Sequence, residues 1–282
     1  MRIIRFNDEH NDVQYGSPAE DGRAFLIEGD LFGRFVLSDT QATVVRILPP
    51  VDPPNIIAIG LNYREHCKEG SRELPERPVI FLKATSSVIA DGEPILLPAM
   101  APEEVDFEAE LALIIGREAR HVPKDRAMEY VFAFTCANDV TARDCQQRID
   151  AQWARAKSFD TFCPLGPAMV TVAEFTDYHV GLRSRLNGDL MQDGNTDDMI
   201  FDPPTLVSYL SECFTLRPGT VILTGTPAGV GFARKPPVFL KDGDTIEVEI
   251  DGVGKLRNPV RAIEPIDEAA AEALADPILD DP

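Results

Sequence analysis

The chain is short of most features that would point to the commoner enzyme classes. Only four histidines occur in 282 residues (His10, His66, His121 and His179), without HExxH or any paired spacing, so an imidazole-rich zinc or copper site is hard to assemble. Five cysteines (Cys67, Cys136, Cys145, Cys163 and Cys213) are odd in number and lack CxxC pairing, which argues for reduced thiols rather than a disulfide framework. There is no GxSxG elbow and no GK[ST] after a glycine-rich loop, so neither a serine hydrolase nor a Walker phosphate site has support. Positive charge is scarce as well. With 27 Lys and Arg against 47 Asp and Glu, the formal net charge of -20 would be repelled by a nucleic-acid backbone or an anionic membrane. Any anionic substrate must therefore meet locally placed cations. No run approaches the roughly 20 apolar residues of a membrane span. The first residues, MRIIRFNDEH, carry charges where a signal peptide needs an apolar stretch, so a cytoplasmic location is the expectation.

What the chain does contain starts with VDFEAELALIIG, Val105 to Gly116. A strand throws residues i and i+2 to one face, so Glu108 and Glu110 would point together beside Phe107, Leu111 and Leu113. Two buried carboxylates need a proton or a cation, because desolvating even one costs several kcal/mol and a like-charged neighbour adds to it. An ordinary half-exposed strand with Asp106, Glu108 and Glu110 in water fits the same alternation. A third acid favours the first reading. FAFTCAND (132–139) is an apolar strand ending in Asn138 and Asp139, and TARDCQQRID after it predicts a short helix starting near Thr141. Glu108, Glu110 and Asp139 would make an all-oxygen set suited to magnesium or manganese.

Other residues carry two readings each. In NYREHCKEG, His66 and Glu69 are three apart and share a helical face, either as a surface pair or as an acid orienting an imidazole. Lys157 sits among Trp153, Phe159 and Phe162, as a stem laid over the core or as a fixed cation for an anion. Arg143 and Gln146 follow Asp139 at i+4 and i+7 and could face the same cleft, although Arg143 could equally pair with Asp139 or Asp144.

The chain is long enough, at 44% hydrophobic, to bury a sizeable core. Short β-like stretches over 1–48 (RIIRF, RAFLIE, RFVLS, ATVVRIL) stop at PPVDPP, which can neither join a central strand nor continue a helix. This predicts a small β-rich amino-terminal domain over 1–54 and a main domain over 55–282. Hairpins are predicted at Asn187-Gly188 and Asp251-Gly252, and helices at Lys124–Tyr130 and Pro204–Phe214. The fold class is therefore α+β and β-rich. The segment IDEAAAEALADPILDDP reads as a solvated helix or frayed end.

The succession IIAIGLNYREHCKEG, RPVIFLKATSSVIADGEPILLP, EVDFEAELALIIG, FAFTCANDVTARD, RAKSFDTFCPLGP and LTGTPAGVG resembles the fumarylacetoacetate hydrolase family, in the same order, from about Asn55 to Asn258. The resemblance is to its acylpyruvase and fumarylpyruvate hydrolase-like branch. It implies a mixed β-sandwich roll, usually a homodimer, and a divalent metal on Glu108, Glu110 and Asp139: magnesium or manganese, with calcium able to replace them in crystals. It further implies that His66 and Glu69 activate water, that Lys157 supports a developing oxyanion, and that Arg143, Gln146 and Thr226 hold substrate carboxylates. The expected reaction is carbon-carbon cleavage of an acylpyruvate or related diketo acid through an enolate. An oxaloacetate-type decarboxylase or a 2-hydroxydienoate isomerase or hydratase could use the same metal site. A non-catalytic protein with a structural calcium is a further alternative.

Overall fold

The computed structural model describes residues 1–263, so the acidic IDEAAAEALADPILDDP segment lies outside the described residues. A long twisted sheet runs through the molecule. Its central strands are Cys163–Thr171, Val131–Asn138, Ala109–Ile115, Val221–Leu223, Ile56–Gly60 and Val79–Lys83, in that spatial order. Every residue of Ala109–Ile115 is buried, because both faces of the strand are covered. Leu111 and Leu113 pack with Phe134, Leu182, Val248 and Leu256 on one side, while Ala112 and Ile114 pack with Ile3, Ala133 and Val221 on the other. The run LALII (111–115) is thus the continuous apolar signature of a doubly covered strand rather than an alternating half-exposed one.

A second sheet, ordered Asp189–Asn195, Gly181–Leu186, Thr245–Ile250, Gly254–Ala262 and Ile95–Leu97, closes over the first through that shared core. The result is the mixed, β-rich sandwich anticipated from the sequence. Both hairpins form where expected. Asn187 and Gly188 take positive φ of 54° and 91°, the geometry of a two-residue turn that asparagine and glycine accept with least strain.

The amino-terminal strands Arg2–Asn7, Val13–Pro18, Arg23–Gly29, Phe35–Thr43 and Arg46–Leu48 extend the long sheet, joined to it where Arg2 and Ile3 pair with Val170 and Met169. Helices are few and short. Pro203–Cys213 buries Leu206, Val207 and Leu210 and is capped by Asp202, whose carboxylate accepts the Thr205 amide at 2.9 Å. Lys124–Tyr130 is a 3-10 turn rather than an α-helix. The short helix expected near Thr141 begins two residues later, at Arg143. Thr141 and Ala142 instead pair with Asp106 and Val105, and a π-helical turn over Cys145–Ile149 follows, because the short strand captures the backbone bonds that a helix would need. All five cysteines are free, and burial pushes the Cys136 and Cys163 thiols up to about 12, which makes them inert. Among the described residues no helix is long and apolar enough to cross a membrane.

Candidate metal centre and its cavity

Glu110 lies in the doubly covered strand, whereas Glu108 precedes it in a break between Val105–Asp106 and Ala109–Ile115. The two are therefore not aligned by strand alternation. The break is held by the neighbouring strand end: the Glu108 amide donates to Asn138 Oδ1 at 3.0 Å, and the Asp139 amide donates to the Glu108 carbonyl at 2.9 Å. This lock draws Glu108 and Asp139 together, and ligand oxygens of Glu108, Glu110 and Asp139 lie within 4.8 Å of one another. All three are buried, so the solvated-strand reading fails.

Three buried cations surround these acids. Lys157, 2% exposed, donates to Glu108 Oε2 at 2.9 Å, Asp139 Oδ2 at 2.6 Å and Thr141 Oγ1 at 2.7 Å. Lys83 donates to Asp139 Oδ1 at 2.6 Å. Arg143 does not pair with Asp139 or Asp144. Its Nε donates to Asp106 Oδ2 at 2.9 Å, its Nη2 to Glu108 Oε1 at 2.6 Å, and its Nη1 to Gln146 Oε1 at 2.9 Å, with the guanidinium carbon 4.3 Å from the centre of the Phe232 ring. Asp106 also accepts the amides of Gly231 and Phe232, at 2.7 and 3.0 Å. Lys83 and Asp106 escaped sequence reasoning. Lys83 ends the apolar run VIFLK, where a lone lysine is a usable signal, and Asp106 enters the sequence reading only through the half-exposed alternative.

The balance of charge is uneven. Burial alone would raise the Glu108 carboxyl, but Lys157 and then Arg143 and His66 hold it far below the usual range. Glu110 is the reverse case. Burial first, then the like charges of Asp139 and Glu108, push its carboxyl well above the ordinary value. It accepts one amide, from Gly225 at 2.7 Å, and among the described residues no side-chain cation pairs with it. Four buried carboxylates (Asp106, Glu108, Glu110 and Asp139) thus face three buried cations (Lys83, Arg143 and Lys157). A hard divalent ion fits this set: the donors are carboxylate oxygens, and a positive charge beside Glu110 would offset the deficit.

A cavity of about 520 Å³ opens over the cluster, lined by His66, Glu108, Glu110, Arg143, Gln146, Lys157 and Thr226, with Phe81, Trp153, Phe232 and Arg72 among the other walls. Seven of the nine side chains singled out in the sequence therefore share one space. The other two stand behind it: Asp139 under Lys157, and Glu69 behind His66. His66 and Glu69 lie on the helix Arg64–Glu69, with Nδ1 2.7 Å from Glu69 Oε1, and Glu69 Oε2 accepts the Gly229 amide at 2.8 Å. In the neutral imidazole the Glu69 carboxylate makes Nδ1 the donor, and Nε2 then carries the lone pair. The Thr226 hydroxyl is engaged inside the protein. It donates to the Ala109 carbonyl at 2.9 Å and accepts from Gln192 Nε2 at 2.6 Å.

Known proteins resemble this chain in sequence and fold. The family model described as the fumarylacetoacetate hydrolase C-terminal region matches residues 55–261. A Xenopus laevis protein named oxaloacetate tautomerase, mitochondrial, is 46% identical over 223 residues, 78% of this chain and 70% of its own. The crystal structure of 5-carboxymethyl-2-hydroxymuconate delta-isomerase from Mycobacterium smegmatis superposes with a TM-score of 0.82 at 40% identity, covering 93% of this chain and 100% of that one. Fumarylacetoacetate hydrolase from Exiguobacterium antarcticum gives 0.79 at 38% identity, over 93% and 100%. With the sequence blocks, the sandwich fold and the extent of these matches in agreement, the chain belongs to the fumarylacetoacetate hydrolase family.

Proposed function

We propose that this chain is a magnesium- or manganese-dependent enzyme that moves a proton on the enol or dienol form of a 2-oxo acid, as a tautomerase or isomerase. The observation that carries this reading is the placement of an oriented imidazole, His66, on one cavity with Glu108 and Glu110, whose third partner Asp139 lies directly behind them. A divalent ion held by those three residues supplies Lewis acidity toward the oxygens of a 2-oxo acid, which favours its enolate.

The protein's own groups do the rest. His66 takes the proton from the carbon beside the keto group at Nε2 and returns it to another atom of the same substrate, while Glu69 fixes the ring and stabilises its charged form. Lys157 and Lys83 donate to the Asp139 carboxylate, and Lys157 and Arg143 hold the Glu108 carboxyl far below the usual range, so Glu108 offers acceptor oxygens at neutral pH. Phe81, Trp153 and Phe232 make apolar walls that exclude water from the proton path. The tautomerase and isomerase names of relatives at 40% identity and above support proton transfer more than bond cleavage.

Cleavage of an acylpyruvate is the second reading, favoured by the hydrolase from Exiguobacterium antarcticum and by the same dyad acting on water. The test follows the ultraviolet absorbance of enol oxaloacetate with magnesium or manganese, beside acetylpyruvate. Enol decay above the buffer rate, abolished by a chelator and lowered at least about 100-fold by His66→Ala, is the expected outcome. Enol decay no faster than in buffer, with acetylpyruvate cleaved, would replace it with the hydrolase.

A further inference from the structure

Three cations line the cavity, and they are not equally available. Lys157 has all its ammonium protons directed at Glu108, Asp139 and Thr141. Arg143 retains a single N–H after Asp106, Glu108 and Gln146 are served. Arg72 is different. It is exposed, it lines the cavity where that space meets solvent, and among the described residues no hydrogen bond or ion pair engages its guanidinium.

Its backbone is well fixed. The Arg72 amide donates to the Cys67 carbonyl at 2.8 Å and the Ser71 amide to Lys68 at 3.1 Å, with Ser71 at a φ of 51°. These are the two bonds of a Schellman motif closing the helix that carries His66 and Glu69. The guanidinium is therefore tethered at a set distance in sequence from the imidazole. On a chain of net charge -20, a cation left unpaired at a cavity mouth is the attractive point for an incoming anion. The cavity, about 520 Å³, also has room for more than a pyruvyl group.

Resting on the proton-transfer reading above, we propose that Arg72 binds a second, distal carboxylate and makes the enzyme selective for dicarboxylic 2-oxo acids. A guanidinium receives a carboxylate through two parallel N–H bonds, which a neutral or methyl tail cannot supply. Arg72 is a specificity residue in this scheme and takes no part in proton transfer.

The test is calorimetric titration of the magnesium-loaded full chain with non-reacting pairs: 2-oxoglutarate against 2-oxopentanoate, and 2-oxoadipate against 2-oxohexanoate. Wild type should bind the better diacid at least about tenfold tighter than its partner. Arg72→Met should shrink that gap to less than about threefold without altering the monoacid, and Arg72→Lys should restore part of it. No gap in wild type, no measurable binding of either pair, a gap that survives in Arg72→Met, or an equal loss for diacid and monoacid would each overturn the proposal. Binding is measured without turnover, so inactivity toward enol oxaloacetate defeats the proton-transfer reading alone.

Discussion

At the scale of single residues, Glu110 is the group whose environment is out of balance, and its titration shows this. The unfolded chain releases the proton of a glutamate near 4.5, while the folded protein holds it to a higher pH. Between those values the native state binds more protons than the unfolded one, so in a chelator stability falls as pH rises. Glu110→Gln removes the titrating group and should be the more stable protein at pH 8 without metal, with little difference at pH 4. Magnesium or manganese should raise the melting temperature of wild type at pH 8 and leave the variant nearly unmoved. Scanning calorimetry at both pH values reads this, and a variant that melts below wild type in chelator at pH 8 would contradict it. The residue scale also shows where sequence reasoning stopped. Glu108, Glu110 and Asp139 were legible because acids are rare in apolar runs. Lys83, which pairs with Asp139, and Asp106, which pairs with Arg143, were not, because neither position tells which strand end it will face.

At the scale of elements, local chemistry was readable and pairing was not. Asn187-Gly188 and Asp251-Gly252 announced their hairpins, since turn residues act through their own φ angles. Val13–Pro18 escaped notice. Its sequence, VQYGSP, holds a glycine and a proline, and the strand forms because Arg2–Asn7 and Arg23–Gly29 pair with its two edges. The turn after Val221–Leu223 has the sharpest local demand. Gly225 has a φ of 96°, and a Cβ there would lie 2.8 Å from that of Asn62 and 3.2 Å from the Ile59 carbonyl oxygen. Its amide also serves Glu110. Gly225→Ala should cost about 2 to 4 kcal/mol, from the left-handed backbone together with the clash, and should weaken manganese binding. Urea unfolding and a metal titration check both. Unchanged stability would show that the turn can relax in a way the packing denies.

At the scale of the whole molecule, the question is how the two parts of the chain depend on each other. We propose that the proline cluster over 49–54 divides a small β-rich unit from the main one, yet the small unit completes the core. Ile3 is fully buried against Leu165 and Met169. Removing residues 1–54 would bare that apolar face and the edge of Cys163–Thr171, a ready template for association. A fragment over 55–282 should melt well below the full chain and self-associate in size-exclusion chromatography. A fragment that keeps the full chain's melting temperature and assembly state would show the two units to be independent.

The sequence by itself determined the chemistry on offer: an all-oxygen ligand set, an imidazole with an acid one helical turn away, a β-rich architecture and the family blocks. Those are properties of residue type and near-neighbour spacing. The tertiary structure alone decided which carboxylate lacks a counter-ion, that Arg143 and Lys157 face inward to the acids, and that the Arg72 guanidinium has no partner among the described residues. These depend on strand ends separated by tens of residues meeting in one buried volume, where each charge takes its value from its neighbours and from the water that has been excluded.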